Sequence, residues 1–359
     1  MNDTPNLTSP LRSVHPEGTV YGTVGEADVA LRYSTLEQEY EAIRNRAAVF
    51  DLSGVRLIEV TGDGATEYAQ RVLARDVEYL TDERCMTSLV LDAEGTVVDQ
   101  VVVWGREDGL LLESSVGFGD RLLEHLRAQA GDDVTITDRT GELALFALEG
   151  PYAWGVVGRL IDAELAALPF ESVVDTTWDG EEIVFARTGS TAEYGYKVIV
   201  SANSAEKLWH KAVAEAAPAG YEALELAMLE VRQPVVRHEA GSADIVEMGA
   251  NWLVDITKED FLGRDAVLAA FNAPAKRRTI GFSGGESVPE PGTPVTIGGE
   301  RVGEVVHAVR SIALDAPLGL ARVEPDVAAA GLTLSVGDAE VTTLTSPYIT
   351  PKSWSTPII

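Results

Sequence analysis

At Asn272-Ala273-Pro274-Ala275 the chain changes texture, and this change limits the fold more than any other feature. Before it, helical periodicities alternate with apolar runs. After it come the short strands Arg278 to Phe282, Pro294 to Ile297, Arg301 to His307 and Pro317 to Val323, separated by Gly-rich turns. Such spacing predicts a small all-β barrel or sandwich behind a larger α+β portion.

Within the larger portion, Leu36, Tyr40, Ile43 and Ala47 share one helical face. A helix is therefore expected near Leu36 to Val49, with Ser34 and Glu37 as a capping box. Val55 to Val60 reads as a strand and Ala65 to Ala74 as a helix. Strands at Thr87 to Leu91 and Val97 to Trp104 flank the turn Asp92-Ala93-Glu94-Gly95. Leu110 to Ser115 follows, then a helix carrying Leu122, Leu123 and Leu126 that Asp120 can cap. A second block has a similar order. It runs from the strand Leu143 to Leu148 through a helix after Gly150-Pro151 to strands Glu182 to Arg187 and Tyr196 to Ser201, then a helix from about Ala205 to Ala216. The two blocks share no clear identity. A helix near Ala223 to Val231 leads into an irregular stretch, Arg232 to Asp260.

Composition narrows the function classes. The chain has 359 residues, long enough to build a core without disulfide or metal staples. Asp plus Glu number 57 against 28 Lys plus Arg, a net charge of −29. That field repels phosphate backbones and anionic membranes, so neither nucleic acid nor membrane is an expected partner. Cys85 is the only cysteine, which excludes an intramolecular disulfide and a multi-thiolate metal site. One thiol fits a reducing cytoplasm. Met1 to Gly22 is polar and lacks the apolar core of a signal peptide, and no run approaches the roughly 20 apolar residues of a membrane span. The five histidines show no paired metal spacing, and no metal is expected. His125 and His210 fall on predicted helices. His238, between Arg237 and Glu239, is the histidine placed to line a site.

Several segments in order carry a resemblance. They are Phe50-Asp51-Leu52-Ser53, Asp92-Ala93-Glu94-Gly95-Thr96-Val97-Val98-Asp99, Leu148-Glu149-Gly150-Pro151, Gly189-Ser190-Thr191-Ala192-Glu193-Tyr194-Gly195-Tyr196 and Asp260-Phe261-Leu262-Gly263-Arg264-Asp265-Ala266. Gly281-Phe282 and Val302-Gly303-Glu304-Val305 follow. Together they resemble the aminomethyltransferase family, which comprises the glycine-cleavage T-protein and its relatives, folate-dependent demethylases included. The resemblance runs from about Leu31 to the C-terminal module. It implies an α+β fold, a three-lobed ring of two α+β domains and a C-terminal β-barrel, with tetrahydrofolate in a central channel. The implied domains are residues 1–52 with 142–255, residues 53–141, and residues 272–359.

The resemblance also implies site residues, and here the chain departs from the pattern. The family's paired aspartates correspond to Asp99-Gln100, so Gln100 stands at the essential acid and cannot supply its charge. A one-residue bulge in that strand would bring Asp99 to the same face. Val55, Thr87, Ser190 and Val236 replace a methionine and three tyrosines at substrate-facing positions. Lys197 replaces the carboxylate that grips the pterin, and lysine offers only donors. Folate would then depend on Glu193, Glu230 or Glu247. In an extended stretch Glu193 and Lys197 share a face and could pair. Trp252 keeps its expected character, and Arg232, Arg237 or His238 are placed to meet folate's glutamate tail. The expected activity is tetrahydrofolate-dependent one-carbon transfer, a methyltransferase or demethylase acting on a small O-, S- or N-methyl donor. The alternatives are a scaffold repurposed for another small molecule without folate, and a glycine-cleavage aminomethyltransferase.

Overall fold

A computed structural model of the chain describes residues 7–162, 164–241 and 243–359, so the first six residues of the polar N-terminal stretch lie outside the described residues. Contacts divide the chain into two units. The first comprises Met1–Val90, Val98–Leu224 and Pro351–Ile359; the second comprises Leu91–Val97 and Glu225–Thr350.

The first unit holds two mixed α/β layers. A five-stranded sheet is ordered Cys85–Leu91, Val97–Arg106, Gly109–Glu113, Leu57–Thr61, Thr135–Asp138. The helices Ala65–Val72 and Gly119–Gln129 cover one of its faces. Ala65, Tyr68, Ala69 and Val72 recur at helical spacing and pack with Leu122 and Leu126 onto Ile58, Val60, Val101, Val103 and Leu112. A six-stranded sheet is ordered Val173–Trp178, Glu181–Ala186, Gly195–Ser201, Leu143–Glu149, Ala48–Asp51, Ala217–Pro218. Its helix Ala202–Glu215 starts where the Ser201 side chain accepts from Asn203 N–H, and it buries Ala205, Leu208, Trp209 and Ala212 against Phe146, Tyr196, Val198 and Val200. On both sheets the alternate side chains turn away from the helices. These two inner faces meet, and Lys197 reaches Glu113 across them.

Two expectations are corrected here. The first helix stops at Asn45, because Ala48–Asp51 is a strand held in register with Leu143–Glu149, Phe50 opposite Ala147. Pairing on both edges outweighs the helical periodicity of that segment. Its cap is Thr35, whose hydroxyl accepts Gln38 N–H at 3.3 Å, while Ser34 N–H turns to Glu39 at 2.7 Å. A three-stranded sheet of Leu7–Thr8, Ala27–Arg32 and Val20–Val24 was not anticipated.

The second unit contains the expected barrel. It is closed, in the order Arg278–Gly284, Ala316–Val323, Glu300–Ser311, Pro294–Ile297, Thr333–Val336, Ala339–Leu344, around Phe282, Val295, Val305, Val323, Val336 and Val341. Its last two strands escaped the sequence reading. The stretch after Arg232 holds the short helices Val236–Glu239 and Ile245–Met248. The Asp92–Gly95 turn meets the Phe261-Leu262-Gly263 segment so closely that a Cβ on Gly263 would lie 2.4 Å from the Asp92 carbonyl oxygen, and Gly263 has φ +83°. Glycine is required there on both counts. No helix among the described residues is long and apolar enough to cross a membrane.

Candidate functional site

Val98, Val101 and Val103 all pack into one core cluster. In an uninterrupted strand Val98 and Val101 would face opposite ways, so the alternation changes phase at Asp99–Gln100. The backbone shows the cause. Gln100 N–H donates to the Asp99 carboxylate at 2.8 Å, and the Gln100 carbonyl accepts from Ser115 Oγ at 2.9 Å. With Val98 and Val101 both facing the helices, Asp99 and Gln100 both turn to the other face. Asp99 is fully buried, and its second oxygen accepts Ser115 N–H at 3.0 Å. Burial pushes its carboxyl up to about 7, against the lowering effect of the Ser115 and Gln100 hydrogen bonds. Gln100 is half-buried, yet its Oε1 is buried and meets no donor among the described residues.

The same face carries a dry ion pair. Glu113 sits opposite Val102, and Trp104 Nε1 donates to it at 3.2 Å. Lys197 Nζ binds its other oxygen, the two side chains being 4% and 6% exposed. Lys197 is therefore committed to Glu113, and the expected pairing with Glu193 does not form. Cys85 lies within the field of this pair, and burial pushes its thiol up to about 12.

Glu193 instead holds the end of the chain. It accepts Arg44 Nη1 at 3.2 Å, Lys352 N–H at 3.2 Å, Ser353 N–H at 2.8 Å and Ser353 Oγ at 2.7 Å. Glu149 anchors the preceding turn, accepting from Ser190 N–H at 3.0 Å, Thr191 N–H at 2.9 Å and Thr191 Oγ1 at 2.5 Å. Burial raises its carboxyl, while these bonds and Lys197 pull it down. Val55 is buried, and Thr87 and Ser190 are half-buried.

In the second unit, Arg232 has φ +62°, binds Glu239 at 2.7 Å and the Met248 carbonyl at 2.7 Å, and its buried Nη1 has no acceptor among the described residues. His238 stacks on His307 with ring centres 3.8 Å apart and lies 3.6 Å from Glu225. Glu230 is fully buried and binds Ser311 Oγ at 2.8 Å. Val236 is buried, Trp252 is 53% exposed, and Glu247 is half-buried. The sequence reading missed Glu113, Ser115 and Arg44. A charge ending the apolar run Leu110-Leu111-Leu112 was the available signal for Glu113.

Two family models match: the GCVT N-terminal domain over residues 12–258 and the glycine cleavage T-protein C-terminal barrel domain over residues 277–345. The chain belongs to the glycine-cleavage T-protein family. It is 33% identical to an aminomethyltransferase of Rubrobacter xylanophilus over 304 residues, covering 83% of this chain and 82% of that protein. It is likewise 33% identical to an aminomethyltransferase of Streptomyces avermitilis, covering 86% and 87%. The fold matches the crystal structure of glycine cleavage system aminomethyltransferase T from Bartonella henselae with a TM-score of 0.86 at 21% identity, covering 96% and 98%. The family implies a folate-dependent one-carbon transferase whose acceptor is tetrahydrofolate, and the chain is an enzyme of that class. A reduced pterin presents N–H donors, and Gln100 Oε1 is a buried acceptor without a donor among the described residues. The residues fit the group.

Proposed function

We propose that the chain moves a methyl group from a small O-, S- or N-methyl compound to tetrahydrofolate. The observation that carries this reading is the pair Asp99–Gln100: one buried acid with a pKa near 7 beside a neutral amide whose oxygen lacks a donor. Tetrahydrofolate, when bound, supplies the nitrogen that accepts the carbon.

The protein's part is alignment and proton management. Gln100 Oε1 accepts an N–H or O–H of the bound compound and fixes its orientation. Burial raises the Asp99 carboxyl to about 7, so near neutrality it can give a proton to the heteroatom that loses the methyl group, and the carboxylate left behind takes up the proton released by the accepting nitrogen. Such transfer contributes about 10²- to 10⁴-fold. Val55, Leu57 and Trp104 are buried and exclude water from this face.

A second reading, aminomethyl transfer, is favoured by Asp99 itself. A carboxylate on this face can meet a cationic amine, and the two relatives above are named aminomethyltransferases. Incubation with tetrahydrofolate and candidate donors, followed by mass analysis, separates the readings. A 5-methyl product supports the first and a 5,10-methylene product the second. Failure to bind tetrahydrofolate at millimolar concentration overturns both.

A further inference from the structure

The strand that carries Asp99 and Gln100 changes company just before them. Residues Leu91–Val97 belong to the second unit, and Val98 onward belongs to the first. The segment that crosses is the turn Asp92–Gly95 with its two stems. Gly95 N–H donates to the Asp92 carbonyl at 3.0 Å, and the Asp92 carboxylate accepts Glu94 N–H at 3.1 Å and Thr96 N–H at 2.8 Å. These internal bonds make the turn stiff. Its seat in the second unit is the start of the helix Arg264–Asn272. Gly95 has φ +78°, and a Cβ there would lie 2.9 Å from Ala266 Cβ; a Cβ on Gly263 would lie 3.0 Å from Gly95 Cα. Backbone rests on backbone, with no flexible side chain between to absorb a shift. We propose that this seat sets the position of the Asp99–Gln100 bulge, with Gly95, Gly263 and Ala266 as positioning residues. The proposal rests on the reading above, in which that pair does the chemistry.

The seat is itself held. Phe261 and Val267 are buried, Arg264 Nε donates to the Lys258 carbonyl at 2.8 Å, and Val267 N–H donates to the Gly263 carbonyl at 3.0 Å. From Gly95 to Asp99 the chain runs four residues, about 13 Å when extended. Val97 and Val98 lie between them, and both are buried, so this stretch moves as one piece. A bulge interrupts the ladder and is the softest point of a strand. A displacement imposed at the turn is therefore taken up first at Asp99–Gln100. There it works against Ser115, whose N–H and hydroxyl hold the far side of the bulge. The pair is clamped from two directions, by Ser115 and by the glycine seat. Precision matters at this place, because a misplacement of about 1 Å in a reacting group costs on the order of 100-fold in rate.

The test enlarges the seat without touching the pair. Ala266 is half-buried, and Ala266→Val places methyl groups where the turn lies; Ala269→Val, at an exposed position of the same helix, is the control. In Ala266→Val, amide exchange read by NMR should quicken about 10-fold at Gln100 and Ser115 and stay as in wild type in the strand Leu57–Thr61. Turnover of the methyl donor should show kcat lower by about 10- to 100-fold with KM for tetrahydrofolate unchanged. In an Asp99→Asn background the same substitution should change kcat by less than about twofold, because it acts through Asp99. Ala269→Val should match wild type in every measurement. Wild-type exchange at Gln100 and Ser115 in Ala266→Val overturns the proposal. Quickening spread over the whole sheet overturns it too, as does a loss that multiplies in full with that of Asp99→Asn. Should Ala266→Val fail to fold, Ala266→Ser, which adds one atom, carries the same exchange test. Wild-type protein that turns over no donor removes the reading of the pair, and the exchange data still decide the seat.

Discussion

Ser115 offers its backbone N–H to Asp99 Oδ2 at 3.0 Å and its hydroxyl to the carbonyl of Gln100 at 2.9 Å, so one residue holds both halves of the bulge. If Asp99 delivers a proton, the rate depends on its protonated form. Activity is then expected to decline as pH rises through about 7, the value to which burial raises this carboxyl. Asp99→Asn should lower kcat by about 10²- to 10⁴-fold and leave a pH profile that is flat in this region. An unchanged profile in the variant removes Asp99 from the chemistry.

Stability should respond to pH through two groups of opposite sign. Asp99 rises from 3.8 to about 7 on folding. Between those values the folded state keeps a proton the unfolded chain has released, so stability falls as pH rises, by roughly 4 kcal/mol across the window. His307 drops from 6.5 to about 4 because it is buried and stacked on His238. Its contribution is intact above about 6.5 and is lost as pH falls toward 4, by roughly 2–3 kcal/mol. The two trends oppose each other in the wild type. Urea unfolding from pH 4 to 8 should show a steeper acid loss in Asp99→Asn and a steeper alkaline loss in His307→Phe.

Breaking the Lys197–Glu113 pair from one side leaves a buried charge. Lys197→Met is expected to cost about 3–5 kcal/mol of stability, and the double variant Lys197→Met with Glu113→Gln should recover a large part. Denaturant titration of both checks this. A double variant as unstable as the single one would show that packing, not charge, dominates.

Ser353 gives Glu193 two of its four hydrogen bonds. Ser353→Ala removes the hydroxyl and should cost about 1–3 kcal/mol. Hydrogen exchange should quicken in the segment 188–194, which Glu193 steadies, while exchange in the barrel strands stays as in the wild type.

Elements with strong periodicity were legible in the sequence. The helix that buries Ala205, Leu208, Trp209 and Ala212 is one case, and the strand Pro294–Ile297 is another. Ala48–Asp51 was not, because its strand state comes from neighbours about 100 residues away in register. At the site, the residues Asp99 and Gln100 were legible, but their facing was not. That facing depends on Ser115, which lies beyond the end of a neighbouring strand and acts partly through its backbone. Glu113 was overlooked because it lies inside the expected strand Leu110 to Ser115, where nothing in the sequence tells its facing. Only its contact with Lys197 shows that the strand end is interior.

The bonds between Glu193 and Ser353 join positions 160 residues apart, with the whole barrel encoded between them. At roughly 5–20 residues per second, a ribosome needs about 8–30 s to reach Ser353 after making Glu193. During that interval Arg44 is the only one of the four hydrogen-bonding groups already translated. The first unit can therefore complete itself only after the barrel has been synthesised, and a stop codon between the barrel and Ser353 would leave its interior carboxylate short of donors.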